Sequence, residues 1–294
     1  MENPALEAIA EGLGRLGKSH AECAQIIASV AESAESQRPV RELKAALQAA
    51  GIACDADHVE RVLLVAAARE SARAIEALRV PVSVRELIRK QHASFGQASG
   101  SISLSIDAEE NDPFVAACKI ATLRRFPAGP IDWVVSGMPR SWFLQMPRLD
   151  LPRVLRFVFA EFGGLKPAFY VHIAHPPRNR TLVIEKEVRR AYYRMAQALE
   201  LQPEMKGIMC ATWLHDPAAF ELYPYLKPLN EPYLELGGRL ITNLGPAPLS
   251  SGFLKFNSER RELYERGELK LKSVVAMWPR KRALEWMRRT GPLE

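Results

Sequence analysis

The segments AFYVHIA (168–174), LVIEKEVRRAYYRMAQAL (182–199) and GIMCATW (207–213) decide the fold of this chain. The first and third are short apolar runs typical of buried strands, whereas the middle segment places Val188 and Met195 on one side of an amphipathic helix. A strand, a helix and a second strand in this order are typical of a layered α/β fold.

The same alternation continues on both sides of this segment. Strands are predicted at 131–135 and 271–278, and helices at 151–162, 258–266 and 279–289. Shorter elements are predicted as a helix at 217–223 and strands at 240–244 and 252–256. The predicted fold class is therefore α/β (or α+β), with an N-terminal all-helical region followed by a mixed sheet that helices cover.

Charge and aromatic content divide the chain into two different parts. Residues 1–110 carry a net charge of −4, and residues 111–294 carry +10. Phe95 is the only aromatic residue in the first part, whereas 22 aromatic residues lie in the second. The overall net charge of +6 therefore hides an acidic helical part and a basic, aromatic-rich part.

These differences predict two domains. Residues 1–95 are interpreted as an Ala-rich helical bundle for protein interaction or homodimerisation, 96–112 as a linker rich in Ser, Gly and acidic residues, and 113–294 as the α/β domain. Nucleic-acid binding by the helices is disfavoured because a phosphate-tracking surface needs net positive charge.

Composition excludes several broad classes of protein. At 294 residues and 48% hydrophobic content, the chain has enough apolar residues for a sizeable core, which excludes dominant disorder. No apolar run is long enough for a transmembrane helix, and the first residues resemble neither a signal peptide nor a transit peptide. The four cysteines form no CxxC pair, which favours buried thiols in a reducing cytoplasm.

Most familiar catalytic motifs are absent from the sequence. It contains no GxGxxG after a strand, no HExxH and no GxSxG. These absences argue against Rossmann dehydrogenases, zincins and α/β-hydrolases. The segment GLGRLGKS (12–19) matches GxxxxGK[ST], but it lies at the end of a predicted helix, whereas a P-loop follows a strand. This context argues against a P-loop NTPase.

The segment after the strand at 168–174 is the first candidate site. His172 lies in this strand, and Arg178 and Arg180 lie in the segment after it. A helix is predicted to begin near Thr181. Two arginines beside a helix N-terminus favour a phosphate or carboxylate, and a solvated surface loop is the alternative. His172 and His175 are three positions apart on a strand and point to opposite faces, so no metal site is predicted.

The segment after the strand at 207–213 is the second candidate site. His215 and Asp216 follow that strand, and Cys210 and Trp213 lie within it. If the two strands are neighbours, His172, Cys210, His215 and Asp216 converge at one end of the sheet. The alternatives are an N-cap role for Asp216 and a buried, inert thiol at Cys210.

The third candidate is the bend after the strand at 131–135. Arg140 and Ser141 offer an anion contact and a hydroxyl, while Trp142 offers a wall for an apolar pocket. Gly137 allows the backbone to approach another group closely. A bend before a buried edge explains the same residues.

Together these features suggest a small-molecule transferase, and the best candidate is a coenzyme A-dependent N-acyltransferase acting on a small anionic substrate. His172 or His215 would be the general base, and Arg140, Arg178 and Arg180 would contact phosphates. The acyltransferase fingerprint [RQ]xxGxG is not present. The alternatives are a non-enzymatic protein that senses an anionic metabolite or binds nucleic acid, and a hydrolase that uses Cys210 with a histidine. Coenzyme A or another phosphate-bearing ligand is the cofactor suggested, and no membrane partner is expected.

Overall fold

A computed structural model gives the architecture of the chain. It describes residues 4–33, 37–52, 56–97, 112–146, 148–173, 184–241 and 258–293. The chain divides into a helical unit (Met1–Leu78 and Val82–Phe126) and an α/β unit (Arg79–Pro81 and Pro127–Glu294). None of the described helices combines the length and the hydropathy that a membrane span requires.

The helical unit forms because its alanine-rich segments place larger apolar residues at helical spacing. Its helices are α1 (Pro4–Arg15), α2 (His20–Glu32), α3 (Arg38–Ala49), α4 (Ala56–Ser71), α5 (Val82–Ser94) and α6 (Pro113–Ala121). Ile9, Ile27, Leu47 and Leu63 are fully buried between them. Ser19 begins α2 with a capping box, in which its hydroxyl accepts from the Glu22 amide and its own amide donates to the Glu22 carboxylate.

The helical unit extends further along the chain than the predicted boundary. Helix α6 follows the predicted linker, yet its apolar face, including Phe114 and Val115, is buried in the helical core. Asp112 fixes the start of α6, since its Oδ1 accepts from the Phe114 amide at 2.8 Å. Aromatic content changes near residue 111, whereas the core to which a residue belongs depends on packing, so the two boundaries differ.

The predicted mixed sheet is confirmed. Its strands are β1 (Arg125–Pro127), β2 (Ile131–Ser136), β3 (Ala168–Ile173), β4 (Gly207–Thr212), β5 (Arg239–Ile241) and β6 (Val274–Pro279). They lie in the order β1-β2-β3-β4-β6-β5. Strands β3 and β4 are parallel, whereas β2–β3, β4–β6 and β5–β6 are antiparallel. A parallel pair needs a long crossover, and α9 (Glu185–Leu201) lies in the connection between β3 and β4.

Both faces of the sheet are covered by apolar side chains. The remaining helices are α7 (Ser141–Gln145), α8 (Leu151–Arg156), α10 (Pro217–Leu222), α11 (Glu231–Glu235), α12 (Ser258–Glu265) and α13 (Arg280–Thr290). One face of the sheet, with Tyr170 and Met209, packs against Phe157 and Phe162. The other face carries Trp278, whose ring contacts Tyr192, Tyr233 and Trp286. Strand β6 is buried at every position, as expected for a strand covered on both sides.

Candidate functional site

Strands β3 and β4 are parallel neighbours whose pairing stops before either strand ends. The registered pairs are Phe169 with Ile208 and Tyr170 with Met209. Both strands continue for three more residues, 171–173 in β3 and 210–212 in β4, without further pairing between them. We call these two segments the strand notch. An extended ligand that adds to a sheet pairs with backbone groups at such strand ends.

The strand notch lies at the edge of the sheet where three strands end. Strands β3, β4 and β5 run in the same direction in the sheet. Their carboxyl ends therefore lie at the same edge. Ile131 and Val274, the first residues of the antiparallel strands β2 and β6, pair there with Ile173 and Thr212. Ligands of α/β sheets bind outside the carboxyl ends of strands, so this edge is the strongest candidate site in the described residues.

His172 lies in the strand notch with a carboxylate beside it. The register places Asp132 of β2 directly opposite His172, so their Cβ atoms lie roughly 5 Å apart on one face. The Tyr170 ring meets the imidazole edge to face at 5.2 Å between ring centroids. His172 is 8% exposed. A histidine beside a carboxylate is a common arrangement in general acid–base catalysis.

Cys210 lies on the opposite face of the sheet from His172. Tyr170 and Met209 are in register on one face, so alternation places His172 on that face and Cys210 on the other. The two strands are therefore neighbours, but the side chains of His172 and Cys210 do not converge. Cys210 is 1% exposed, and burial raises the pKa of its thiol well above the usual range. This is the environment of an inert thiol.

We therefore expect Cys210 to resist alkylation in the folded protein. Iodoacetamide at neutral pH should leave its peptide unmodified, because both access and thiolate formation are suppressed. Peptide mass spectrometry measures the modified fraction, and the same protein in urea is the positive control. Rapid modification of the folded protein would contradict the assignment.

His215 is also enclosed on the face opposite His172. It is fully buried, and its Nδ1 donates to Asn230 Oδ1 at 2.7 Å. Burial lowers the pKa of His215 to about 4, so the ring is neutral. Its Nε2 and the Asn230 amide nitrogen have no hydrogen-bond partner among the described residues. His215 is thus correctly predicted to follow β4 but is removed from the exposed edge.

Asp216 has a structural role in the turn after β4. Its Oδ1 accepts from the Ala218 amide at 3.1 Å and caps α10, and its Oδ2 accepts from the Lys272 amide at 2.6 Å. Both carboxylate oxygens are thus used in fixing the chain. Trp213, in the 3-10 turn before it, is 8% exposed and contributes mainly to packing.

Arg140, Ser141 and Trp142 lie at the other edge of the sheet. They follow β2, whose last residue, Ser136, pairs with the first residue of β3. Four residue steps along β3 separate Ala168 at that end from His172, which is roughly 13 Å. Gly137 makes the close approach predicted for it, since a Cβ there would lie 2.4 Å from Lys166 Cβ. The structure therefore does not bring these residues to His172.

The connection from β3 to α9 carries the two remaining ligand-binding predictions. Arg178, Arg180 and the neighbouring His175 lie outside the described residues. Helix α9 begins at Glu185, because Ile184 before it has extended backbone angles, so the predicted start near Thr181 is wrong. Glu185 and Glu187 occupy the first turn and already offset the helix dipole there. An anion at this edge would depend on the arginines rather than on the helix terminus.

Two site residues escaped the sequence analysis. Asp132 is an isolated acidic residue within an apolar strand, and this was the only feature of the sequence that could have marked it as a site residue. Its position opposite His172 follows only from the strand register. Asn230 is separated from His215 by 15 residues, and no spacing rule links them. Among the described residues, no group of three or more His, Cys, Asp or Glu side chains is arranged to hold a metal ion.

Comparison with known proteins found no match to this chain. No protein-family model, curated protein or solved structure matches this chain. Function must therefore be argued from the strand notch, His172 and Asp132 themselves.

Proposed function

We propose that this protein is a coenzyme A-dependent N-acyltransferase whose donor binds at the strand notch. The observation that carries the proposal is the end of pairing between β3 and β4 after Tyr170 and Met209. The pantetheine arm of coenzyme A is extended and contains two amide groups. Such an arm would lie against the strand notch at the carboxyl ends of β3 and β4 and form backbone hydrogen bonds there, as an added strand does.

Arginines supply the phosphate contacts in this proposal. Arg178 and Arg180 follow β3 in the chain, and β3 ends at the edge of the sheet that carries the notch. Bidentate guanidinium contacts with phosphate are stronger than neutral hydrogen bonds and are weakened by salt. The acidic residues in the first turn of α9 reduce the attraction of its N-terminus for an anion. Binding of the phosphates would therefore depend mainly on the two arginine side chains.

His172 is the proposed general base, with Asp132 as its positioning residue. An amine nitrogen attacks the thioester carbonyl while His172 removes its proton. The new C–N bond forms as the C–S bond breaks, and the leaving thiolate takes a proton to give free coenzyme A. The chemistry requires positioning and proton transfer but no covalent enzyme intermediate. It is compatible with a reducing cytoplasmic location, where the buried thiols Cys23, Cys118 and Cys210 remain free.

The proposal is tested by acyl transfer from acetyl-, butyryl- and octanoyl-coenzyme A to a panel of small amines, with free coenzyme A and the N-acyl product measured by chromatography. We expect His172→Gln to lower kcat by about 10²-fold or more. Arg178→Gln should instead raise the donor KM about tenfold, since it removes one charge-assisted contact. Arg140→Gln, at the opposite edge of the sheet, is the matched control and should change neither constant.

Binding measurements separate this proposal from its alternatives. Thermal shift should detect coenzyme A, because a ligand at 100 times its Kd adds about 2.7 kcal/mol to the free energy of unfolding. The absence of both a shift and product formation would overturn the transferase proposal. A shift without turnover on any amine would favour a non-enzymatic sensor of an anionic metabolite, and a shift with nucleic acid alone would favour a nucleic-acid-binding protein.

A further inference from the structure

The helical unit contains a cleft that the proposed transferase site does not use. Its volume is about 390 Å³, which falls in the range typical of small-ligand sites. The cleft lies between α1, α2, α4 and the end of α5. Its lining includes Glu7, Leu13, Lys18, Cys23, Val65 and Arg69. We call it the helical cleft.

The wall of the helical cleft is apolar. Leu13, Cys23 and Ala66 are buried and form part of it, together with half-buried valines of α4. Burial raises the pKa of Cys23, so the wall carries a neutral thiol there. An alkyl chain lying against this wall would be removed from water, which is the main source of affinity for such a ligand.

The rim of the helical cleft is basic, although residues 1–110 are acidic overall. Arg69 and Lys18 lie at the rim with Glu7 as the one opposing carboxylate. Lys18 is partly neutralised by Glu22 at 3.5 Å, whereas Arg69 forms no ion pair with any residue that the structure describes. An exposed guanidinium above an apolar wall is complementary to an anionic head group with an alkyl tail.

We propose that the helical cleft binds a medium-chain alkyl carboxylate, with the tail against the apolar wall and the head group at Arg69. This site is independent of the strand notch, since it lies entirely within residues 7–97. The cleft volume suits a tail of about six to ten carbons, given the usual size range of small-ligand sites.

Calorimetric titration of the full chain with hexanoate, octanoate and decanoate tests the proposal. Affinity should rise about tenfold for each two methylenes until the cleft is filled. Octanol and octylamine are the matched uncharged and cationic probes and should bind more weakly than octanoate. Equal binding of octanol would overturn the role of the anion, and no binding of any of the three carboxylates would overturn the site.

Rim variants locate the ligand. Arg69→Gln should weaken octanoate binding up to about fivefold, as expected for an exposed charge pair, and Glu7→Gln should strengthen it. Arg15→Gln changes an exposed cation of the same unit outside the cleft and should have no effect. Val65→Trp, which fills the cleft, should abolish binding while far-ultraviolet circular dichroism shows the helices intact. Octanoate binding that is unchanged in both Arg69→Gln and Val65→Trp would place the ligand elsewhere and overturn the proposal.

Discussion

Replacing Gly207 with alanine is expected to destabilise the α/β unit by about 3 kcal/mol or more. Gly207 begins β4 opposite Pro279 of β6. A Cβ at this position would lie 2.1 Å from the Trp278 carbonyl oxygen and 2.7 Å from a ring carbon of Phe162. The nearer contact is with backbone, which cannot move aside without breaking the β4–β6 pairing.

Tryptophan fluorescence during urea unfolding measures this effect selectively. All five tryptophans lie after residue 127, so their emission reports on the α/β unit alone. Gly14→Ala is the control, because a Cβ there meets nothing within 4 Å and alanine favours the helix that contains it. An unfolding midpoint for Gly207→Ala equal to that of the natural protein would contradict the close packing of β4 against β6.

Acid should destabilise the α/β unit through His215. The pKa of this ring is about 4 in the folded protein and about 6.5 when unfolded, because burial disfavours the cation. Below about pH 6.5 the unfolded chain binds a proton that the folded chain does not. The free energy of unfolding should therefore fall by about 3 kcal/mol between about pH 7 and pH 4, and this contribution should level off below pH 4.

His215→Gln isolates this contribution from other titrating groups. The glutamine amide retains a donor for Asn230 Oδ1 but gains no charge in acid. Unfolding followed by tryptophan fluorescence across this pH range should give a flatter profile for the variant, with the difference close to the 3 kcal/mol expected above. Parallel profiles for the two proteins would show that His215 is not buried as a neutral ring.

Local pattern predicted the elements that frame the candidate site. Strands β3 and β4 lie within the predicted segments, and helix α9 overlaps its predicted segment over 185–199, because apolar periodicity and turn residues act over a few positions. The predicted last strand and last helix were likewise found as β6 and α13. The predicted start of α9 was about one turn too early, because the spacing of apolar residues does not determine the backbone conformation of Ile184.

The composition of the site could not be predicted in the same way. Cys210 and His172 lie on neighbouring strands, yet the register puts them on opposite faces, and a shift of one residue would have joined them. His215 follows a strand end where ligands usually bind, but the chain folds back and buries it against Asn230. Arg140 was predicted to contact phosphates together with Arg178 and Arg180. Because β2 runs antiparallel to β3, Arg140 follows the end of β2 at the edge of the sheet opposite the strand notch.

The sequence by itself determined the division into an acidic helical part and a basic, aromatic-rich α/β part, together with most of the helices and strands. These properties depend on composition and short-range periodicity, and both are contained in the residues of each segment alone. The tertiary structure alone decided that α6 belongs to the helical unit, that β3 and β4 are parallel neighbours, and that Asp132 lies opposite His172. Those features depend on strand order, register and packing between distant segments, which no local pattern encodes.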